Sequence, residues 1–109
     1  MEIIKEREGS NLTVKLAGRL DAVTAMQLDK DLATSLTGVN ELTIDLARLD
    51  YVASAGLRIL LKTQRKMDRQ GSMMIKNVQP AVREVLDMTG FSQFLTLEQD
   101  AKKKLSITF

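Results

Sequence analysis

Tyr51-Val52-Ala53-Ser54-Ala55-Gly56-Leu57-Arg58-Ile59-Leu60-Leu61 ends a buried apolar run and opens an amphipathic helix. That junction decides the fold, because a strand running directly into a helix is half of a crossover unit. It also carries the main functional question. A serine at a helix start can cap it, since its hydroxyl accepts a hydrogen bond from a free N–H of the first turn. The same place suits a phosphate, because helix N-termini carry partial positive charge and unpaired donors. Ser54 is therefore a cap, a phosphoacceptor or both.

Working outward, the apolar residues Leu57, Leu60, Leu61 and Met67 mark one helical stripe, and Gly71 stops it. Before the junction, Leu42-Thr43-Ile44-Asp45-Leu46 alternates as a strand does. Asp50 then falls in a loop. Earlier still, Ile3–Arg7 and Leu12–Leu16 flank Glu8-Gly9-Ser10-Asn11 and read as a hairpin. Gly18-Arg19-Leu20-Asp21 reads as a loop, followed by a capping box of Thr24 and Gln27. Leu28, Leu32 and Leu36 are the buried stripe of that helix, which Gly38 ends.

Downstream, Met73-Met74-Ile75-Lys76 is apolar enough for a buried central strand. Pro80 suits the first position of a third helix, with Val82, Val85, Leu86 and Thr89 on one side and Gly90 at its end. Phe94–Leu97 reads as a last edge strand, and Glu98–Leu105 as a short terminal helix. The order β-β-α-β-α-β-α implies an α/β fold. We expect one domain over residues 1–109, a largely parallel mixed sheet of four to five strands, and three to four helices.

Composition narrows the function. The chain of 109 residues has no Cys and no His. Thiolate nucleophiles, the commonest general base and the commonest metal ligand are all missing, which argues against an enzyme. Sixteen basic and fourteen acidic residues leave a net charge of +2, too balanced for a nucleic-acid binder. No run is long enough to span a bilayer, and no leader is visible at the N-terminus, so a cytoplasmic location is expected.

These pieces together resemble the STAS domain, the fold of bacterial anti-sigma-factor antagonists and of the cytoplasmic tails of sulfate transporters. The resemblance rests on Leu16-Ala17-Gly18-Arg19-Leu20-Asp21, on Leu42–Leu46, and on Val52-Ala53-Ser54-Ala55-Gly56-Leu57. Asn77 with Pro80-Ala81-Val82, and Met88-Thr89-Gly90-Phe91, complete it. In the antagonists the second helix opens on Asp-Ser-Ser-Gly-Leu or a near relative, and an anti-sigma serine kinase phosphorylates the hydroxyl there.

The resemblance places Ser54 on the acceptor position. Ala53 replaces the acid, and Ala55 replaces the second hydroxyl. It implies a rim that meets the kinase, formed by Gly18, Arg19, Leu20 and Asp21 with Ala53, Ser54, Ala55, Gly56, Leu57 and Arg58. Gly56 would leave room there for a partner backbone. A PP2C-type phosphatase would reset the switch, and the free chain would be a monomer needing no cofactor. The alternative within the same resemblance is a subunit docking on the ATPase of a lipid-trafficking ABC transport complex.

Plainer readings stand beside these. Asp21 is a cap or a contact residue. Asp45 and Asp50 are solvated or turn-forming carboxylates in preference to a metal pair. Arg58, Lys62, Arg65, Lys66 and Arg69 form a solvated helix face, Lys102–Lys104 suit a helix C-terminus, and the methionines fill core gaps.

Overall fold

A computed structural model describes residues 1–98. The elements are β1 (Glu2–Glu8), β2 (Asn11–Leu20), α1 (Ala22–Ser35), β3 (Glu41–Val52), α2 (Ser54–Gln70), β4 (Ser72–Lys76) and α3 (Pro80–Thr89). A 3₁₀ turn at Phe91–Gln93 follows. The strands lie in the order β1-β2-β3-β4. β1 is antiparallel to β2, whereas β2, β3 and β4 are parallel. This is the expected mixed, mostly parallel α/β sheet.

The alternating sequence sets the register. Leu12 pairs with Leu42 and Leu42 with Met73; Val14 pairs with Ile44 and Ile44 with Ile75. These apolar rows all fall on one side of the pleat, because side chains alternate with period two. Leu28 and Leu32 from α1, Leu57 and Leu60 from α2, and Val82 and Leu86 from α3 join them in one hydrophobic cluster. The hairpin closes through Gly9 in the left-handed region (φ 63°), with Glu8 opposite Asn11.

β3 is longer than its alternation suggests. The register passes from Lys15–Asp45 to Ala17–Arg48, and from Gly18–Leu49 to Arg19–Tyr51. β3 thus carries one extra residue at each step, as a β-bulge does. Its buried positions change from every second residue (Leu42, Ile44, Leu46) to every third (Leu49, Val52). Asp45 braces the first bulge by accepting hydrogen bonds from the Ala47 N–H at 2.9 Å and from Asn77 Nδ2 at 3.2 Å. Asp45 and Asp50 therefore both lie within β3, and Gly18, Arg19 and Leu20 continue β2. The sequence reading placed Asp50 and those three residues in loops.

Among the described strands β4 lies at the edge of the sheet, not at its centre; its Met73 and Ile75 are buried, and α2 packs against it. Among the described residues, only Leu97 pairs beyond β4, through a single bridge to Ile75, so the expected strand at Phe94–Leu97 shrinks to one bridge behind the 3₁₀ turn. Gln64, a buried polar residue missed on the helical stripe, holds this tail. Its Oε1 accepts from the Thr96 N–H at 2.9 Å, and its Nε2 donates to Asp68 at 2.9 Å. Beyond its first residue, the helix expected at Glu98–Leu105 lies outside the described residues, as do Lys102–Lys104.

Candidate functional site: the paired helix starts

β2 and β3 end side by side, with Leu20 paired to Val52. Each strand turns there into a helix. Two parallel strands therefore deliver two helix N-termini to the same edge, the end of an α/β sheet where binding sites concentrate. A hydrogen bond of 2.8 Å from the Ala53 N–H to the Leu20 carbonyl locks the two exits together.

The first exit is strongly capped. Asp21, not Thr24, is the N-cap of α1; its Oδ1 accepts from the N–H groups of Val23 at 3.1 Å and Thr24 at 3.0 Å. Thr24 sits at the third helical position, and its hydroxyl accepts from the Asp21 N–H at 2.8 Å. The capping box exists, but one turn earlier than Thr24–Gln27 would place it, because β2 runs on to Leu20. The Thr24 N–H and hydroxyl hold the Asp21 carboxyl below its ordinary value, outweighing partial desolvation.

A depressed folded-state pKa stabilises the protein above the unfolded pKa, and that contribution disappears as pH falls through the folded one. Asp31 behaves likewise: burial raises its pKa, but hydrogen bonds from Lys5 and Ser35 carry it below the ordinary value. The melting temperature should therefore fall as pH drops below about 4. Asp21→Asn should flatten that fall, as acid-range calorimetry of both proteins would show.

The second exit has no such cap. Ala53 is the N-cap of α2 and offers no side-chain acceptor; Ser54 is the first helical residue. Ser54 is therefore not the cap that its position suggested. Its side chain is exposed, and its hydroxyl makes no hydrogen bond among the described residues. The first intrahelical bond runs from the Leu57 N–H to the Ala53 carbonyl, so the N–H groups of Ser54, Ala55 and Gly56 lack helical acceptors. No acid lies in this first turn. The start of α2 presents one free hydroxyl amid uncapped donors, a place that tolerates added negative charge.

The residues singled out as a rim divide in two. Arg19, Ser54 and Arg58 are exposed; Gly18, Asp21, Ala53 and Ala55 are half-buried. Leu20, Gly56 and Leu57 are buried and build the platform. Gly56 in particular faces inward. A Cβ there would lie 2.5 Å from Leu20 Cγ and 3.1 Å from the Leu20 carbonyl oxygen. The residue is small so that α2 can approach β2, which replaces the expected role of admitting a partner backbone. The Arg19 guanidinium stacks 4.2 Å from the Tyr51 ring centroid, firming the strand ends beside Ser54.

Val23 and Met26 were missed. They are 77% and 73% exposed on the first turns of α1, and their spacing of three puts them on one face. Met26 and Met88 do not fill core gaps, whereas Met67 and Met73 do. Sparse apolar exposure beside a polar rim suits a protein contact better than a small-molecule site. Two clefts, of about 410 and 430 Å³, lie at the starts of the parallel strands, and neither includes a rim residue. Among the described residues, no cluster of three or more Asp, Glu, His or Cys is placed to hold a metal ion.

The family model described as "Mlab, STAS domain" matches residues 3–98. The chain belongs to the STAS domain family. BtrV of Bordetella bronchiseptica, whose name places it with the anti-sigma factor antagonists, is 33% identical over 84% of this chain and 80% of its own length. The structure of an anti-sigma factor antagonist from Mycobacterium paratuberculosis superposes with a TM-score of 0.79 at 25% identity, covering 94% of this chain and 92% of the other. SpoIIAA in its unphosphorylated form gives 0.76 at 21% identity, with 96% of each chain covered. This last likeness establishes the shared fold. In STAS terms, the paired exits of β2 and β3 are the edge that the resemblance marked as the rim.

Proposed function

We propose that this STAS domain is an anti-sigma-factor antagonist that binds an anti-sigma serine kinase through the Ser54 rim and is switched off by phosphorylation there. The carrying observation is the exposed Ser54 hydroxyl, unbonded among the described residues, on the uncapped start of α2. The likeness to BtrV supports the antagonist role. Phosphorylation adds about −1.5 to −2 charges and three acceptor oxygens. The helix start accommodates that charge, and the free first-turn N–H groups face it. A partner surface shaped to a neutral hydroxyl does not accommodate it, because burying an unpaired charge is costly. The switch is local repulsion and desolvation on an unchanged fold. A PP2C-type phosphatase restores the hydroxyl, and the protein acts in the cytoplasm as a monomer without catalysis of its own. Among the described residues, no helix is long and apolar enough to cross a membrane.

One observation favours a second reading. With Ala53 in place of an acid and no acid in the first turn of α2, the rim also suits a STAS subunit docked on a transporter ATPase, where Ser54 needs no phosphate. Capture from source cells with wild-type, Ser54→Ala and Ser54→Asp baits, read by mass spectrometry, separates the two. The antagonist reading expects a serine kinase held by wild type and Ser54→Ala and lost by Ser54→Asp. A transporter ATPase held equally by all three would replace it.

A further inference from the structure

α2 carries five cations: Arg58, Lys62, Arg65, Lys66 and Arg69, all exposed. At 100° per residue they fall within an arc of about 100° and extend over about 17 Å of helix axis. The acid on the same helix, Asp68, lies outside the arc and is engaged by Gln64. Arg58, Arg65, Lys66 and Arg69 form no ion pair among the described residues. Lys62 does, and the pair shows how the stripe is satisfied. Asp29, on the neighbouring helix α1, receives Lys62 Nζ on both carboxylate oxygens, at 3.0 and 3.2 Å.

Four of the cations, Arg58, Lys62, Arg65 and Arg69, follow a 4-3-4 spacing. That spacing keeps the four on one side of the helix, within reach of a second helix laid alongside it. We infer that the exposed face of α2 is a docking surface for an acidic α-helix of a partner protein, with carboxylates at the same 4-3-4 spacing meeting Arg58, Arg65 and Arg69 as Asp29 already meets Lys62. The stripe has no bulky apolar residue to enter a lipid surface and no aromatic residue to stack on a base. This surface does not depend on modification of Ser54. It begins one turn beyond that residue, so a partner seated at the rim can continue along it.

The test uses the full chain and a defined probe. An alanine-based helical peptide as long as α2, with glutamates at 4-3-4 spacing, is titrated at low salt and followed by backbone amide chemical shifts. The expected shifts centre on residues 58–69, and affinity falls with salt. Arg65→Glu/Arg69→Glu should weaken binding at least about tenfold. Arg65→Gln/Arg69→Gln should weaken it less, with both variants melting as cooperatively as wild type. The same peptide with its glutamates scrambled should bind more weakly. Equal binding of the scrambled peptide, shifts elsewhere, or tighter binding to a DNA duplex or phosphatidylglycerol vesicles would overturn the inference. None of these readouts passes through Ser54, so the proposed function stands or falls separately.

Discussion

Ser54→Asp should bind the partner at least about a hundredfold more weakly than wild type while melting within about two degrees of it. Ser54→Ala should bind and melt as wild type does. The stability half of this expectation rests on the cap. If Ser54 were the N-cap of α2, alanine there would cost about 0.5–2 kcal/mol. Ser54 is instead the first helical residue, exposed and without a hydrogen bond among the described residues, so its removal leaves no donor newly orphaned and stays near the ±0.5 kcal/mol of ordinary surface changes. A carboxylate at this position meets the positive end of α2 and the free N–H groups of the first turn, which favours the fold if it does anything.

The affinity half rests on the interface. A hundredfold loss corresponds to about 2.7 kcal/mol, a modest share of what an unpaired charge costs when it is buried against a partner. Thermal melting and titration calorimetry with the recovered partner decide both halves. A Ser54→Asp protein that binds as tightly as wild type removes the switch; a Ser54→Ala protein that melts well below wild type restores the cap.

Much of this was legible because it is periodic. Leu12, Val14 and Leu16, then Leu42, Ile44 and Leu46, give the sheet by alternation; Leu28 and Leu32, then Leu57, Leu60 and Met67, give the helices. What escaped has one physical source at the site, the pair of bulges between β2 and β3. Each bulge adds a residue to β3 and breaks its alternation after Leu46. A strand whose buried residues recur every third position reads as a loop. The same bulges let β2 run on through Gly18 and Arg19 to Leu20, which moved the start of α1 forward and gave the cap to Asp21. Sequence alone also could not tell which way Gly56 faces. Helical phase places it near Leu60, but only the close approach of Leu20 shows why no larger residue fits. The strand order was hidden for a different reason: β4 is apolar because α2 packs against it, and a strand at the edge of the described sheet, covered on one face, looks much like a central one.

Gly56→Ala should destabilise the protein by about 1–3 kcal/mol, the usual cost of forcing an extra carbon into a packed site. For a domain of this size that lowers the melting temperature by roughly 5–20 °C. Alanine is the better helix former by about 1 kcal/mol, so a net loss means that packing has overruled propensity. The contact cannot be relieved cheaply. Leu20 is fully buried, its Cγ lies 2.5 Å from the new carbon, and its carbonyl oxygen lies 3.1 Å away while accepting the Ala53 N–H. Relief requires α2 to lift from β2, which strains the bond joining the two helix starts and carries Ser54 out of register with Asp21. Gly56→Ala should therefore weaken partner binding as well, although Gly56 itself is buried against Leu20. A double-mutant cycle separates this from a direct contact. With Leu20→Ala as the second change, the two losses should be less than additive in stability, because removing the Leu20 side chain makes room for the new methyl. Strictly additive losses, or a Gly56→Ala protein as stable as wild type that nevertheless fails to bind, would return Gly56 to the interface.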